Sequence, residues 1–359
     1  MIFSDKISEL FSKKIKCKPI LLFQSDDWGK EGIPDLDSLN QIKSNHSPWD
    51  RYGIESEQDL EDLQSVFKDI KDCKGNNLQM TANIIFANLN IDATVDKDCN
   101  QLIFKSIKEG FISTDFSPIS KYKELVKNNV FYPSLHGYTH FNYYSLKSLM
   151  QTNPEFRGRI ELLYKNKIQY LASETPEINF ALMSRENGKD IFEKDVYQKQ
   201  WVEKGIVEFE NIFGFSPITA CAPGYRFNNT TAKIWKENNI NVIQTGVENH
   251  IKIKNKQLIL PRTVHFEPVF NLEDELIIQK GLENVKNALS KQKPIIISSH
   301  SVNFVDDFNF SKDRTLSLVK VLIAEIKNLT PEIEFINEAI LYKNYKNYEI
   351  GEKDSFFVK

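Results

Sequence analysis

The stretch ILLFQSDDWG, residues 20–29, decides how the rest of the chain is read. Ile20, Leu21, Leu22 and Phe23 form an uninterrupted apolar run after Pro19, the pattern of a strand buried on both faces. Asp26 and Asp27 follow almost at once, and then Trp28 and Gly29 break the pattern. Adjacent carboxylates repel, so either one is protonated or a cation sits among them. Taken alone, the pair reads first as an Asx-type turn leaving a strand.

Outward from this stretch, apolar runs alternate with helical patterns along most of the chain. Strands are expected over 19–24, 78–86, 130–135, 218–222, 241–245, 257–264, 294–298 and 332–336. Helices are expected between them, over 57–73, 190–213 and 273–292 among others, each with apolar residues at helical spacing. This alternation implies parallel pairing through right-handed crossovers. The expected fold is α/β: a single-domain, irregular (β/α)7–8 barrel over residues 19–345, incompletely closed, with its active site at the C-terminal strand ends. Segments 30–56 and 88–129 exceed ordinary connection lengths and are expected to be functional rim loops.

Composition narrows the function classes. The 359 residues carry 46 basic against 49 acidic side chains, a net charge of −3, which gives no basic field for nucleic acid. No apolar run approaches the ~18 residues of a membrane span. Ile2, Phe3, Ile7, Leu10, Phe11 and Ile15 recur at helical spacing, so residues 1–18 are expected to form an amphipathic helix packed on the barrel instead of a signal peptide. Residues 346–359 are expected to be a tail. The four cysteines (Cys17, Cys73, Cys99 and Cys221) lack C-x-x-C spacing and read as reduced thiols. Together these features suggest a cytoplasmic protein of unknown oligomeric state.

The polar residues at strand ends form a pattern. In FYPSLHGYTHFN, His136 follows a strand and His140 lies four residues on. If a helix begins there, both imidazoles share a face and can meet one metal ion. In IIISSHSVNF, His300 follows another apolar strand. Each feature alone has an ordinary structural reading, as a surface histidine pair or a strand-end histidine bonded to backbone. Together, Asp26, Asp27, His136, His140 and His300 all fall at C-terminal strand ends, which converge on one face of a parallel barrel. Two histidines and one carboxylate leave open positions on a divalent ion, the pattern of a catalytic site. The second aspartate is then free to act as a base.

With these residues in place, SDDWG, HGYTH, APGYRF and SSHSVNF resemble the ordered motifs of the polysaccharide deacetylase family, metal-dependent carbohydrate esterases with a NodB-homology domain. The resemblance spans residues 19–304. It implies that Asp27, His136 and His140 hold a divalent metal, Zn²⁺ foremost, with Co²⁺ or another ion as alternatives. It further implies Asp26 as the base, His300 as the acid, and the backbone N–H of Tyr225 as an oxyanion donor. The substrate would be an N- or O-acetylated sugar or polysaccharide precursor. The chain departs from the family pattern at Cys221-Ala222-Pro223, where an arginine is usual, and it has no D-x-x-D-W motif. Arg226 and Arg262 are the candidates to replace the missing cation.

Further candidates lie nearby. Trp28 could stack on a sugar ring, as could Trp49, Tyr138 and Phe141. PRTVHFEP places His265 and Glu267 beside Arg262. Two other readings stand beside the deacetylase: a noncatalytic carbohydrate-binding or assembly protein that keeps the metal site, and a glycoside hydrolase using Asp26 with Glu248 or Glu267.

Overall fold

A computed structural model describes residues 19–33, 36–41, 54–95, 101–168, 175–186, 188–246, 252–270, 272–306 and 310–349. The expected N-terminal helix, residues 350–359 of the expected tail, and the candidates Trp49 and Glu248 lie outside these residues.

Ten strands build one sheet: β1 (Ile20–Trp28), β2 (Met80–Ile85), β3 (Phe131–Gly137), β4 (Thr219–Cys221), β5 (Val242–Thr245), β6 (Lys252–Lys254), β7 (Gln257–Pro261), β8 (Val264–His265), β9 (Ile295–His300) and β10 (Glu334–Phe335). Their spatial order is β6-β7-β5-β4-β3-β2-β1-β9-β8, and β10 also pairs with β1. Every pairing is parallel except β6 with β7. The helices that position the site are α1 (Glu57–Asp69), α2 (Ile119–Lys127), α3 (Tyr143–Thr152), α4 (Pro154–Lys165), α5 (Asp195–Phe213), α6 (Asn229–Glu237), α7 (Asp274–Ser290), α8 (Lys312–Leu329) and α9 (Glu338–Glu349).

The expected strand over 257–264 is divided at Arg262, and the division closes the barrel. Its first half, β7, pairs with β5, while its second half, β8, pairs with β9 on the far side of the sheet path. Between them Arg262 N–H donates to Thr245 O at 3.2 Å and Thr263 N–H donates to Ile296 O at 3.0 Å. One bent segment therefore bridges the two edges of the sheet. The result is an irregular α/β barrel that the sheet ladder alone does not close.

Alternate residues of each strand face one side of the sheet, and the interior side grades from apolar to polar. Register pairs Leu22 with Ile296, Gln24 with Ser298 and Asp26 with His300. At one end of the barrel Ile20, Leu22, Val242, Leu258, Leu260 and Ile296 pack with Leu341 and Tyr345 of α9. Higher up, Gln24, Asn83, Ser134, Thr219, Gln244 and Ser298 are all buried. They hydrogen-bond with one another and with Arg262, as buried polar groups must.

The expected helices are shorter than their apolar periodicity suggests. The helix expected over 57–73 starts at a Ser56–Asp59 capping box and ends at Asp69, because Ile70 is extended. The one expected over 190–213 starts at Asp195, since Lys189–Phe192 pairs instead with Met183–Glu186 in a hairpin. The rim segment 88–129 contains Ile91–Val95, a strand Phe104–Ser106 paired with Ala87–Leu89, and α2. No helix among the described residues is long and apolar enough to cross a membrane.

Candidate active site

Consecutive residues of a regular strand point to opposite faces, so two adjacent aspartates should not share a site. The end of β1 avoids this with a bulge. Its register against β2 shifts between Ser25 and Trp28, and Asp27 adopts a positive φ of 69°. The chain then turns, with Lys30 N–H donating to Asp27 O at 3.2 Å. Gly29, at φ 80°, is required here because a Cβ would lie 2.6 Å from Ile85 O. The turn is held by Gly29 N–H on Glu55 Oε1 at 2.8 Å, Asn88 Nδ2 on Gly29 O at 2.8 Å, and Ser301 Oγ on Asp27 O at 3.1 Å. Asp26 thus points into the barrel while Asp27 faces the two histidines.

His136 lies within β3, which ends at Gly137. No helix starts there, contrary to the expected i, i+4 geometry: His140 sits in a turn, and α3 begins only at Tyr143, capped by Asn142. Thr139 fixes that turn, donating to Phe141 O at 2.8 Å and accepting from Trp201 Nε1 at 2.9 Å. The outcome is the same convergence by another route. His136 Nε2 and His140 Nε2 each lie 3.2 Å from Asp27 Oδ1. Tetrahedral ligands about 2.1 Å from a zinc ion stand about 3.4 Å apart, so this spacing fits a metal.

The protonation states fit as well. His136 Nδ1 is 2.8 Å from Cys221 O, a carbonyl that can only accept, so that nitrogen carries a proton and Nε2 is the atom that would ligate an ion. Burial and the Lys30 charge push His140 down to about 4, leaving its imidazole neutral. Burial would raise the Asp27 carboxyl, but Lys30 and the two histidines outweigh it and hold the group well below the usual range. A second group, Asp26, His136 and Cys221, also has its ligand atoms within 4.8 Å of one another. It is the poorer donor set because burial, reinforced by Asp26, pushes the Cys221 thiol well above its ordinary range, away from the ligating thiolate.

Asp26 is held separately. Its Oδ1 accepts from Arg262 at 2.5 Å and from Asn83 at 2.6 Å, and its Oδ2 accepts from the Tyr225 hydroxyl at 3.2 Å. Burial would raise this carboxyl, yet Arg262, with His136 and His300, lowers it to about 2. His300 Nε2 stands 3.8 Å from Asp26 Oδ2, while its Nδ1 is 2.7 Å from Glu267 Oε1. Burial alone would lower the imidazole pKa, and the Glu267 charge reverses this and raises it. Asn303 Nδ2 donates to Glu267 Oε2 at 2.6 Å, which fixes the carboxylate.

These groups share one cavity of about 420 Å³, also lined by Lys30, Phe180, Tyr225, His265 and Phe270. Arg262, and not Arg226, is the cation on Asp26. Arg226 pairs instead with Asp190 at 3.1 Å and lies over the Phe180 ring. Two expectations are corrected. The Tyr225 N–H donates to Ala222 O at 2.8 Å, so it is no oxyanion donor; the hydroxyl is the part of Tyr225 that reaches the site. Trp28 is 1% exposed and packs against Tyr122, Phe131 and Phe304, so its ring is core and offers no face to a sugar. Tyr138 and Phe141 are likewise buried.

Sequence reasoning missed Lys30, whose Nζ lies 2.9 Å from Asp27 Oδ2. Its signal was the i, i+3 spacing across a glycine-containing turn. It also did not assign Glu267 as the partner of His300. Glu267 lines the same cavity, with Oε1 on His300 and Oε2 on Asn303.

No family model matches the chain, and no curated protein matches it. Similar solved structures include a protein provisionally described as a polysaccharide deacetylase from Mycobacterium smegmatis, at 8% identity over 94% of this chain and 93% of that one, with a TM-score of 0.49. A family 4 acetyl xylan esterase from Clostridium thermocellum, in complex with a cobalt ion, is similar at 9% identity over 90% of each chain, with a TM-score of 0.41. A CE4 family pseudoenzyme from Bacillus anthracis is similar at 10% identity over 89% of this chain and 64% of its own, with a TM-score of 0.40. The functional reading rests on the side chains of this chain.

Proposed function

We propose that this protein is a metal-dependent hydrolase that removes an acetyl group from an N- or O-acetylated sugar. The observation that carries the reading is the separation of roles around one cavity: a two-histidine, one-aspartate cluster, an aspartate paired to arginine, and a histidine paired to glutamate. A pure binding site has no use for the last two pairs.

Asp27, His136 and His140 would hold the ion. When bound, a divalent ion such as Zn²⁺ or Co²⁺ supplies Lewis acidity and brings the pKa of a water from ~16 towards ~7. Asp26, kept ionised by Arg262, accepts the water's proton at Oδ2, the oxygen that faces His300. His300 delivers a proton from Nε2 to the departing amine or alcohol, while Glu267 at Nδ1 stabilises the imidazolium. Such acid and base steps are each worth ~10²–10⁴ in rate. Lys30 places a positive charge on the same cavity wall, where it favours negative charge developing on the acyl oxygen.

The test is acetate release from a panel of N- and O-acetylated oligosaccharides by metal-loaded protein. Asp26→Asn should keep the ion and lose release by about 10²-fold or more. No release by the loaded wild type across the panel, or full activity in Asp26→Asn, contradicts the reading.

A further inference from the structure

A buried carboxylate lies at the opposite end of the barrel from the cavity. Glu338, the first residue of α9, is 0% exposed and is carried into the interior as that helix packs beneath β1, β7 and β9. Its Oε2 accepts from Thr81 Oγ1 at 2.5 Å and its Oε1 accepts from Gln24 Nε2 at 2.7 Å. Gln24, also 0% exposed, uses its other end to accept from Arg262 Nε at 3.1 Å. Arg262 in turn donates from NH2 to Asp26 Oδ1 at 2.5 Å and from NH1 to Tyr225 Oη at 2.9 Å and Ser298 Oγ at 2.8 Å. A continuous line of hydrogen bonds therefore joins Glu338, Gln24, Arg262 and Asp26, with Arg262 donating both to Gln24, which donates on to Glu338, and to Asp26.

We propose that Glu338 is a positioning residue for Asp26, acting through Gln24 and Arg262. The inference deepens the hydrolase reading and rests on it for its catalytic consequence.

The direction of the line is the argument. A glutamine amide carries NH2 at one end and C=O at the other, and either can face either neighbour unless the neighbours differ. Here they differ: Glu338 Oε1 takes the NH2, so the C=O must face Arg262 Nε–H. If residue 338 offered an NH2 instead, Gln24 could satisfy it only by turning its oxygen downward, which sets its own NH2 against Arg262 Nε–H. Two donors would then face each other in a dry interior, where an unsatisfied group is costly. The guanidinium would tilt, and Asp26 would lose the fork that aims Oδ2 at the cavity. Gln24 occurs in a strand otherwise lined by apolar residues on its inward face below it, and this role accounts for its presence there.

The test uses the full-length, metal-loaded chain and the variants Glu338→Gln, Gln24→Glu and the pair combined. Glu338→Gln keeps size and burial but leaves one C=O for two donors, Gln24 Nε2 and Thr81 Oγ1, so that while Thr81 holds the C=O the NH2 faces Gln24. It should shift the ¹H–¹⁵N resonance of Arg262 Nε–H and lower kcat for acetate release about tenfold, with KM within about twofold and metal content unchanged. The double variant reverses the pattern, with a donor at 338 and acceptors at 24 toward both 338 and Arg262 Nε–H, so it should recover the resonance and most of the kcat. Recovery on reversing the pattern is not expected of a group that merely fills space. If Glu338→Gln fails to fold, Thr81→Val removes only the donor to Glu338 Oε2 and should move the same resonance and kcat in the same direction by less. An unshifted Arg262 resonance, or a double variant no better than the single one, overturns the proposal. The resonance measurement needs no turnover, so it tests the line of hydrogen bonds even if the wild type proves not to release acetate.

Discussion

Asp26 and His300 are register partners on adjacent parallel strands, and His300 Nε2 lies 3.8 Å from Asp26 Oδ2. A carboxylate tied to Arg262 and an imidazole tied to Glu267 thus meet over one substrate-sized space. Each is tuned from behind by a different buried or half-buried partner.

The imidazole side of this arrangement gives a pH prediction. Glu267 raises the His300 pKa, so the imidazolium needed as acid persists to higher pH and is lost as pH rises through that value. Glu267→Gln removes the charge and should move the alkaline limb of the kcat profile to lower pH. The loss should therefore be larger on the alkaline side of the profile than on the acid side. A pH–rate profile beside an NMR titration of His300 checks it, and an unmoved limb contradicts the assignment of Glu267.

Much of this was legible in sequence, for identifiable reasons. Asp26, Asp27, His136 and His300 interrupt apolar strand patterns at their C-terminal ends, and parallel topology then dictates that they meet. Arg262 was readable only as a candidate, because its meaning depends on a bend that no periodicity reveals. Gln24 and Glu338 lie 314 residues apart, and only the packing of α9 under the barrel brings them together. Trp28 misled because an aromatic beside catalytic carboxylates looks like a sugar platform. The bulge at Asp27 turns the following residue inward to the core instead.

Arg262 is buried with a protein acceptor at every guanidinium nitrogen. Arg262→Met should leave Asp26 as an uncompensated buried charge and cost about 3–5 kcal/mol of stability. Arg262→Lys keeps the charge without the fork and should fold better but remain slow. Urea denaturation and steady-state kinetics separate the two effects.

Lys30→Met should retain the metal and lose about 10–10² in kcat, because it removes positive charge from the cavity wall and leaves the three ligands in place. Metal content measured beside kcat decides this. A variant that loses its ion would mean that Lys30 serves only to hold Asp27.

Glu55 supports the turn below Lys30, accepting from Gly29 N–H and from the Tyr122 hydroxyl, each at 2.8 Å. Burial raises its pKa from 4.5 to about 7. Between those values the folded chain holds a proton that the unfolded chain releases, so this group's contribution to stability declines as pH rises and levels off above about pH 7. The decline amounts to about 3 kcal/mol. Glu55→Gln cannot ionise, so its stability relative to wild type should increase by about that amount between pH 4.5 and pH 8. Urea midpoints at the two pH values test this, and a constant difference would contradict it.

The account rests most directly on the Asp27, His136 and His140 cluster. Metal content of the purified chain should therefore be compared with that of the His136→Ala, His140→Ala double variant, each after incubation with zinc and removal of excess. The account predicts about one divalent ion per wild-type chain and none in the variant. A wild type that binds no ion, or a variant that binds as much, would contradict it.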